Sequence, residues 1–116
     1  MEILTTIAKE KSTFILTVAF TDENGSAVAP ETLKWSLTDE NGTAINSRTD
    51  VSVASPQASN SIVLSGDDLQ ILEDEANDRY AKRRFVAEAT YDSDLGNDLP
   101  VNDAVAFVVE NLAKIT

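Results

Sequence analysis

Thr13-Phe-Ile-Leu-Thr-Val-Ala-Phe-Thr21 puts Phe14, Leu16, Val18 and Phe20 on one side of an extended chain and Thr13, Ile15, Thr17, Ala19 and Thr21 on the other. A period of two is the spacing of a pleated strand with one face in a core, and a helix, repeating every ~3.6 residues, does not keep it. The alternation returns in 33–37, where Lys34 and Ser36 separate Leu33, Trp35 and Leu37, and in 85–91, where Phe85, Ala87, Ala89 and Tyr91 share a side. It returns again in 105–112, with Val105, Phe107 and Val109. Shorter candidates are 2–8, 43–46, 51–54 and 61–64. Seven or eight short strands in one chain predict an all-β fold of two packed sheets, with 13–21 and 33–37 as central strands. Trp35, alternating with leucines, is expected in the core rather than at a binding surface.

Turn chemistry agrees with this punctuation. Asp-Glu-Asn-Gly occurs at 22–25 and again at 39–42, each time after a threonine that ends an alternating strand. Asn-Gly supplies the positive φ that a tight reversal needs, so both copies are read as turns and not as an internal duplication. Residues 66–78 break the β pattern: Leu69, Ile71, Leu72 and Ala76 fall near helical spacing among six acidic residues and no basic one. One short helical connection is expected there, with Asp67 and Asp68 at its start, where carboxylates suit the exposed N–H groups. Residues 55–60 and 93–102 are expected as irregular connections, the second because of Gly96, Pro100 and its repeated Asp and Asn.

The 116 residues fit a single domain, 1–116, with enough chain for one core. At 42% hydrophobic and 25% charged the composition is that of an ordinary folded protein. The longest apolar runs, 15–20 and 104–109, are too short to cross a bilayer, so no membrane role is expected. No cysteine is present, and Met1 is followed by acidic Glu2 rather than a basic segment and an apolar run. The expectation is a chain made and kept in a reducing cytoplasm, or released by lysis. Twenty acidic against nine basic residues give a formal charge of −11, which repels phosphate. The one basic cluster, Lys82-Arg83-Arg84 with Arg79 before it, is read as solubilising a strand edge rather than as contacting nucleic acid.

Histidine and cysteine are both absent, which removes the Ser-His-Asp relay, the thiol nucleophile and the His/Cys zinc site. Carboxylates suffice for an acid–base pair, but their place in loops is that of solvated charge, and no Gly-rich phosphate loop accompanies them. The chain is expected not to be an enzyme. One constellation has the form of a ligand site. Asp92-Ser-Asp-Leu-Gly-Asn-Asp98, followed by Asp103, puts carboxylates at the first, third, seventh and twelfth places of a loop, as in sites that hold calcium. Glycine falls at the fifth place instead of the sixth, and strands rather than helices flank it. The simpler reading is an exposed acidic loop that caps its own turns. No cofactor is expected, with calcium at Asp92, Asp94, Asp98 and Asp103 as the alternative.

Trp35 on a central strand, then Leu72, Ala76, Asp78 and Tyr80 before the penultimate strand, resemble the order of an immunoglobulin domain. In that family a tyrosine at this spacing pins the corner between two strands; here Asp and Ala are exchanged and Lys82 stands where the second cysteine would be. The resemblance implies an immunoglobulin-like sandwich, without an antibody-like or receptor role. Three further runs, Leu33 to Asn46, Ile62 to Leu69 and Ala89 to Pro100, are similar to small immunoglobulin-like proteins encoded among tailed-bacteriophage structural genes. That similarity covers nearly the whole chain, through turn and strand patterns. It implies a virion component assembled in the bacterial host cytoplasm: a capsid decoration or cement protein, or an accessory protein of the head–tail joint or tail. Its partners would be capsid, tail or connector subunits, or copies of itself. Leu95, Leu99 and Val101 in the 93–102 loop are the expected partner contacts, together with the strand-like termini 1–9 and 107–116 as edges that could join a partner's sheet. The alternatives are an immunoglobulin-like adhesion or carbohydrate-binding module, or a cytosolic assembly factor or inhibitor. Sugar stacking would need exposed aromatics, and most of the seven aromatics fall at alternating core positions.

Overall fold

The computed structural model describes residues 2, 3 and 7–112. The expected strand 2–8 and the terminal segment 107–116 therefore lie partly outside the described residues. Eight strands follow in order: β1 (Glu2–Ile3), β2 (Ala8–Lys9), β3 (Thr13–Ala19), β4 (Thr32–Asp39), β5 (Val51–Ser52), β6 (Ser59–Ser65), β7 (Tyr80–Ser93) and β8 (Gly96–Glu110). β1, β8, β7, β4 and β5 lie side by side with β2 also on β8, and β3 pairs with β6 in a separate sheet. Only β1 and β2 run parallel to their neighbour, β8. With β4, β7 and β8 in one sheet and β3 with β6 in the other, the chain is an all-β fold of two sheets.

The inner faces are made by the alternating residues. Phe14, Leu16, Val18 and Phe20 from one sheet meet Leu33, Trp35, Leu37, Phe85, Ala87, Ala89, Phe107 and Val109 from the other, all buried. Phe14 stacks on Phe107 across the sheets at 5.1 Å between ring centroids, and Trp35 on Phe85 within one sheet at 5.4 Å. Offset ring pairs of this kind add to the stabilisation that area burial alone provides. Trp35 is a core residue, with the Arg48 guanidinium over its ring.

The structure corrects several expectations. Residues 43–46 are not a strand: Ala44 makes one bridge to Thr38, after which Asn46 and Ser47 both take positive φ, 53° and 55°. Those two left-handed residues turn the chain as soon as Ile45 has entered the core. The helical connection is two separate 3-10 turns, Gly66–Leu69 and Glu73–Glu75. Each is closed by its own acid: Asp68 Oδ2 accepts from Ser65 N at 3.2 Å, and Glu75 Oε1 from Leu72 N at 3.0 Å. The 93–102 connection is not irregular. β7 and β8 continue through it as one antiparallel hairpin that reverses at Asp94-Leu95. Pro100 is tolerated because it faces Thr90 on β7 and, among the described residues, has no strand neighbour on its other side, where a missing N–H costs nothing.

The basic cluster is not wholly a solubilising edge. β7 alternates, so Lys82 and Arg84 face solvent while Arg83 turns inward with none of its surface exposed. Tyr80 is 42% exposed and leaves the corner to Arg83. The described parts of the two termini pair with each other, β1 and β2 on β8, with β1 as the terminal strand of the sheet order.

Candidate functional site

The far end of the β7–β8 hairpin gathers most of the expected site residues. The ladder runs regularly to Tyr91 opposite Leu99, then slips, so that Ser93 faces Gly96. One residue of β7, Asp92, is thereby set against Asn97 and Asp98 of β8, which is a β-bulge. Asp98 takes the left-handed conformation, φ 53°, and its N–H donates to Asp92 Oδ1 at 2.8 Å. Ser93 Oγ accepts from Leu95 N at 3.1 Å and donates to Glu23 Oε1 at 2.6 Å, tying the tip to the first Asp-Glu-Asn-Gly turn.

The bulge brings a third carboxylate into play. Glu31 precedes β4, and its N–H donates to Thr90 O at 2.7 Å, while Thr32 and Thr90 share a hydroxyl hydrogen bond of 2.7 Å. Glu31 thus stands beside Asp92 and Asp98, with a carboxylate oxygen from each of the three within 4.8 Å of the others, all exposed. Three carboxylates so close cannot all ionise easily. Hydrogen bonding to Asp92 and then Asp98 raises the Glu31 pKa from 4.5 to about 7. Asp92 moves the other way, held below its ordinary value by the Asp98 N–H and by Glu31. Below about pH 7 Glu31 keeps a proton beside the Asp92 carboxylate, and the oxygens of the group are also those from which a cation would draw ligands.

Of the four carboxylates expected together, the structure joins Asp92 and Asp98. Asp94 lies in the exposed turn and Asp103 opposite Ala87, where its carboxylate accepts from Ala104 N at 2.8 Å. Five steps of extended strand, roughly 16 Å, separate Asp98 from Asp103, which is why a twelve-residue loop spacing does not close here. Glu31 carried no local signal, because only the β4–β7 register places it.

The apolar residues of the tip differ in exposure. Leu95, in the turn itself, is 75% exposed. Leu99 is half-buried and lies close over Gly96, and Val101, half-buried as well, packs one side against the core. No protein-family model, curated protein or solved structure matches the chain.

Proposed function

We propose that this chain is a non-enzymatic, protein-binding component of a tailed-phage particle, a capsid decoration or cement protein or an accessory protein of the head–tail joint or tail. The observation that carries the binding part is Leu95, 75% exposed at the turn of the long β7–β8 hairpin. A leucine there gains nothing from its own fold, and removing it from water against another protein is favourable. The hairpin presents it at one end of a molecule 54 Å long and 24 by 22 Å across. Leu99 beside it widens the apolar contact, while the surrounding carboxylates form a polar rim.

The phage setting draws support from the resemblance of 33–46, 62–69 and 89–100 to phage immunoglobulin-like proteins. A charge of −11 suits that setting, since it keeps many copies soluble before assembly and apart from packaged DNA. Quantitative mass spectrometry of purified particles of the phage that encodes the chain tests the reading. Copy numbers close to those of the major capsid protein mean decoration, and a ring-sized number means the joint or tail. Absence from the particle overturns the proposal.

A further inference from the structure

The charge of this molecule is unevenly spread, and the two-stranded sheet has none of it. Residues 12–21, which contain β3, and 51–66, which contain β6, include no Asp, Glu, Lys or Arg in a chain of formal charge −11. A sheet edge that stays single is usually blocked by charge, proline or a bulge, because its open N–H and C=O groups pair with any strand that arrives. β3 has no such block, and among the described residues its second edge has no strand neighbour.

The hydrogen-bond parity says which groups are open. Gly66 N donates to Ser12 O and Phe20 N to Ala58 O, so the even-numbered residues of this strand exchange bonds with β6. Antiparallel ladders alternate, so the N–H and C=O of Thr13, Ile15, Thr17 and Ala19 point to the open edge. Along that edge a groove of about 260 Å³ opens between β3 and β8, lined by Phe14, Leu16, Val18, Phe85 and Ala87 with Asp103 on its β8 side. On the outer face, Ile15 and its cross-strand neighbour Val63 are 58% and 53% exposed. The far edge of β6 is less open, since the Ser65 N–H is already held by Asp68.

We propose that two copies of the chain join β3 to β3, antiparallel about a two-fold axis at Leu16, giving one four-stranded sheet with a β6 on each outside. An axis at Leu16 sets Ile15 against Thr17 and Thr13 against Ala19 of the second copy, which engages all four open residues of both. The two Ile15 side chains become diagonal neighbours on the outer face, within reach of each other. A second copy is the occupant because of charge. Two copies at −11 repel wherever carboxylates face one another; β3 itself brings no charge to its edge, where the carboxylate lining the groove is Asp103 of β8. The same patch serves both partners, so the contact closes at a dimer.

Sedimentation velocity of the full chain tests this, over a wide concentration range in low and high sodium chloride. The expected result is a monomer–dimer equilibrium in which the dimer grows with salt, as the repulsion between two acidic copies is screened. Ile15→Lys, at an exposed side chain, places like charges across the axis and should weaken dimerisation at least ~10-fold. Thr17→Pro removes one edge-facing N–H and should act in the same direction, with thermal melts showing that both variants fold. If Thr17→Pro does not fold, Ile15→Lys alone decides. Leu95→Ser, remote from the edge, should leave the dimer intact. A chain that stays monomeric under all conditions, as it would if β3 awaits a strand from a different protein, overturns the proposal. So does a dimer that Ile15→Lys leaves unchanged, or a mass beyond the dimer.

Discussion

Glu75 grips Arg83 with both carboxylate oxygens, Oε1 at 2.6 Å from Nη2 and Oε2 at 2.8 Å from Nη1. The guanidinium also donates to Gln70 O and Lys82 O, so an enclosed cation holds together the connection that leads from β6 into β7. The Arg83 hydrogen bonds hold the Glu75 carboxyl below its ordinary range, against the opposing effect of burial. Nearby, Asn111 Nδ2 donates to Ala76 O and Asp78 O, fastening the end of β8 to the same corner.

Breaking this pair from its two sides should have unequal effects. Glu75→Ala leaves a fully buried guanidinium without its counter-charge and should cost about 3–5 kcal/mol. Arg83→Met removes the buried charge itself, leaves a carboxylate that water can reach, and should cost less. The double variant Glu75→Leu/Arg83→Met should be more stable than Glu75→Ala alone. Urea unfolding of the three variants checks the order, and a Glu75→Ala cost below about 1 kcal/mol would show that the pair does not hold the corner.

Asp22 and Asp39 build the same turn twice. In each, Oδ1 accepts from the residues two and four places on, Asn24 and Ser26 or Asn41 and Thr43, at 2.8–3.0 Å. Each turn ends in a left-handed glycine, Gly25 at φ 80° and Gly42 at φ 89°, with open space where a Cβ would be. Gly25→Ala and Gly42→Ala should therefore lower stability for conformational reasons alone, by a similar ~1–2 kcal/mol each, and the two effects should add. Thermal melts of the single and double variants are the check, and sharply different costs would mean that the turns are not equivalent.

The Glu31 group gives stability a rising-pH penalty. Its folded pKa of about 7 lies above the ordinary 4.5, so the native state keeps a proton that the unfolded chain releases between those values. The stabilisation is complete below pH 4.5 and is lost as pH rises through about 7. Relative to Glu31→Gln, the wild type should lose melting temperature from pH 5 to pH 8, and parallel profiles would refute the proton held on Glu31. Calcium separates a second use of the same oxygens. Three carboxylates offer up to six of the ~6–8 oxygens the ion takes, with water for the rest, and a calcium-induced shift equal in wild type and Asp92→Asn would mean general screening rather than a site. A shift abolished by Asp92→Asn would establish a cation site.

At the acid end the sign reverses. Asp68 is buried, which opposes its charge, but hydrogen bonds from Arg48, Asn46 and the Ser65 N–H outweigh that and hold its pKa below 3.8. Its contribution is present above the ordinary carboxylate range and disappears as pH falls through the lowered value. Acid titration followed by fluorescence of Trp35 should therefore be steeper below pH ~4 in the wild type than in Asp68→Asn, and superimposable acid limbs would count against it.

What the sequence made legible was local. Alternation at Phe14–Phe20, Leu33–Leu37 and Phe85–Tyr91 states which side chains face inward, and the structure buries them. The two Asp-Glu-Asn-Gly turns were equally plain, since each is closed by bonds within five residues. Arg83 was readable in principle, being in phase with Phe85, but a charge at an inward position makes sense only once Glu75 folds back beneath it. The 93–102 segment looked like a loop because Gly96, Pro100 and its Asp and Asn residues are turn formers. Pairing with Thr90 and Tyr91 overrode that preference, as long-range partners do for β structure. Glu31 could not be seen at all, because its place beside Asp92 depends on strand register.

If the chain is the phage component proposed above, Leu95→Ser/Leu99→Ser, introduced into that phage and counted by mass spectrometry in purified particles, tests the proposed role of the hairpin tip. Both side chains lie at the tip, clear of the main core, so the variant should melt close to wild type. It should nevertheless be strongly depleted from the particles. Incorporation at the wild-type level, by a chain shown to be folded, would contradict the assignment of the hairpin tip as the surface through which this protein binds its partner.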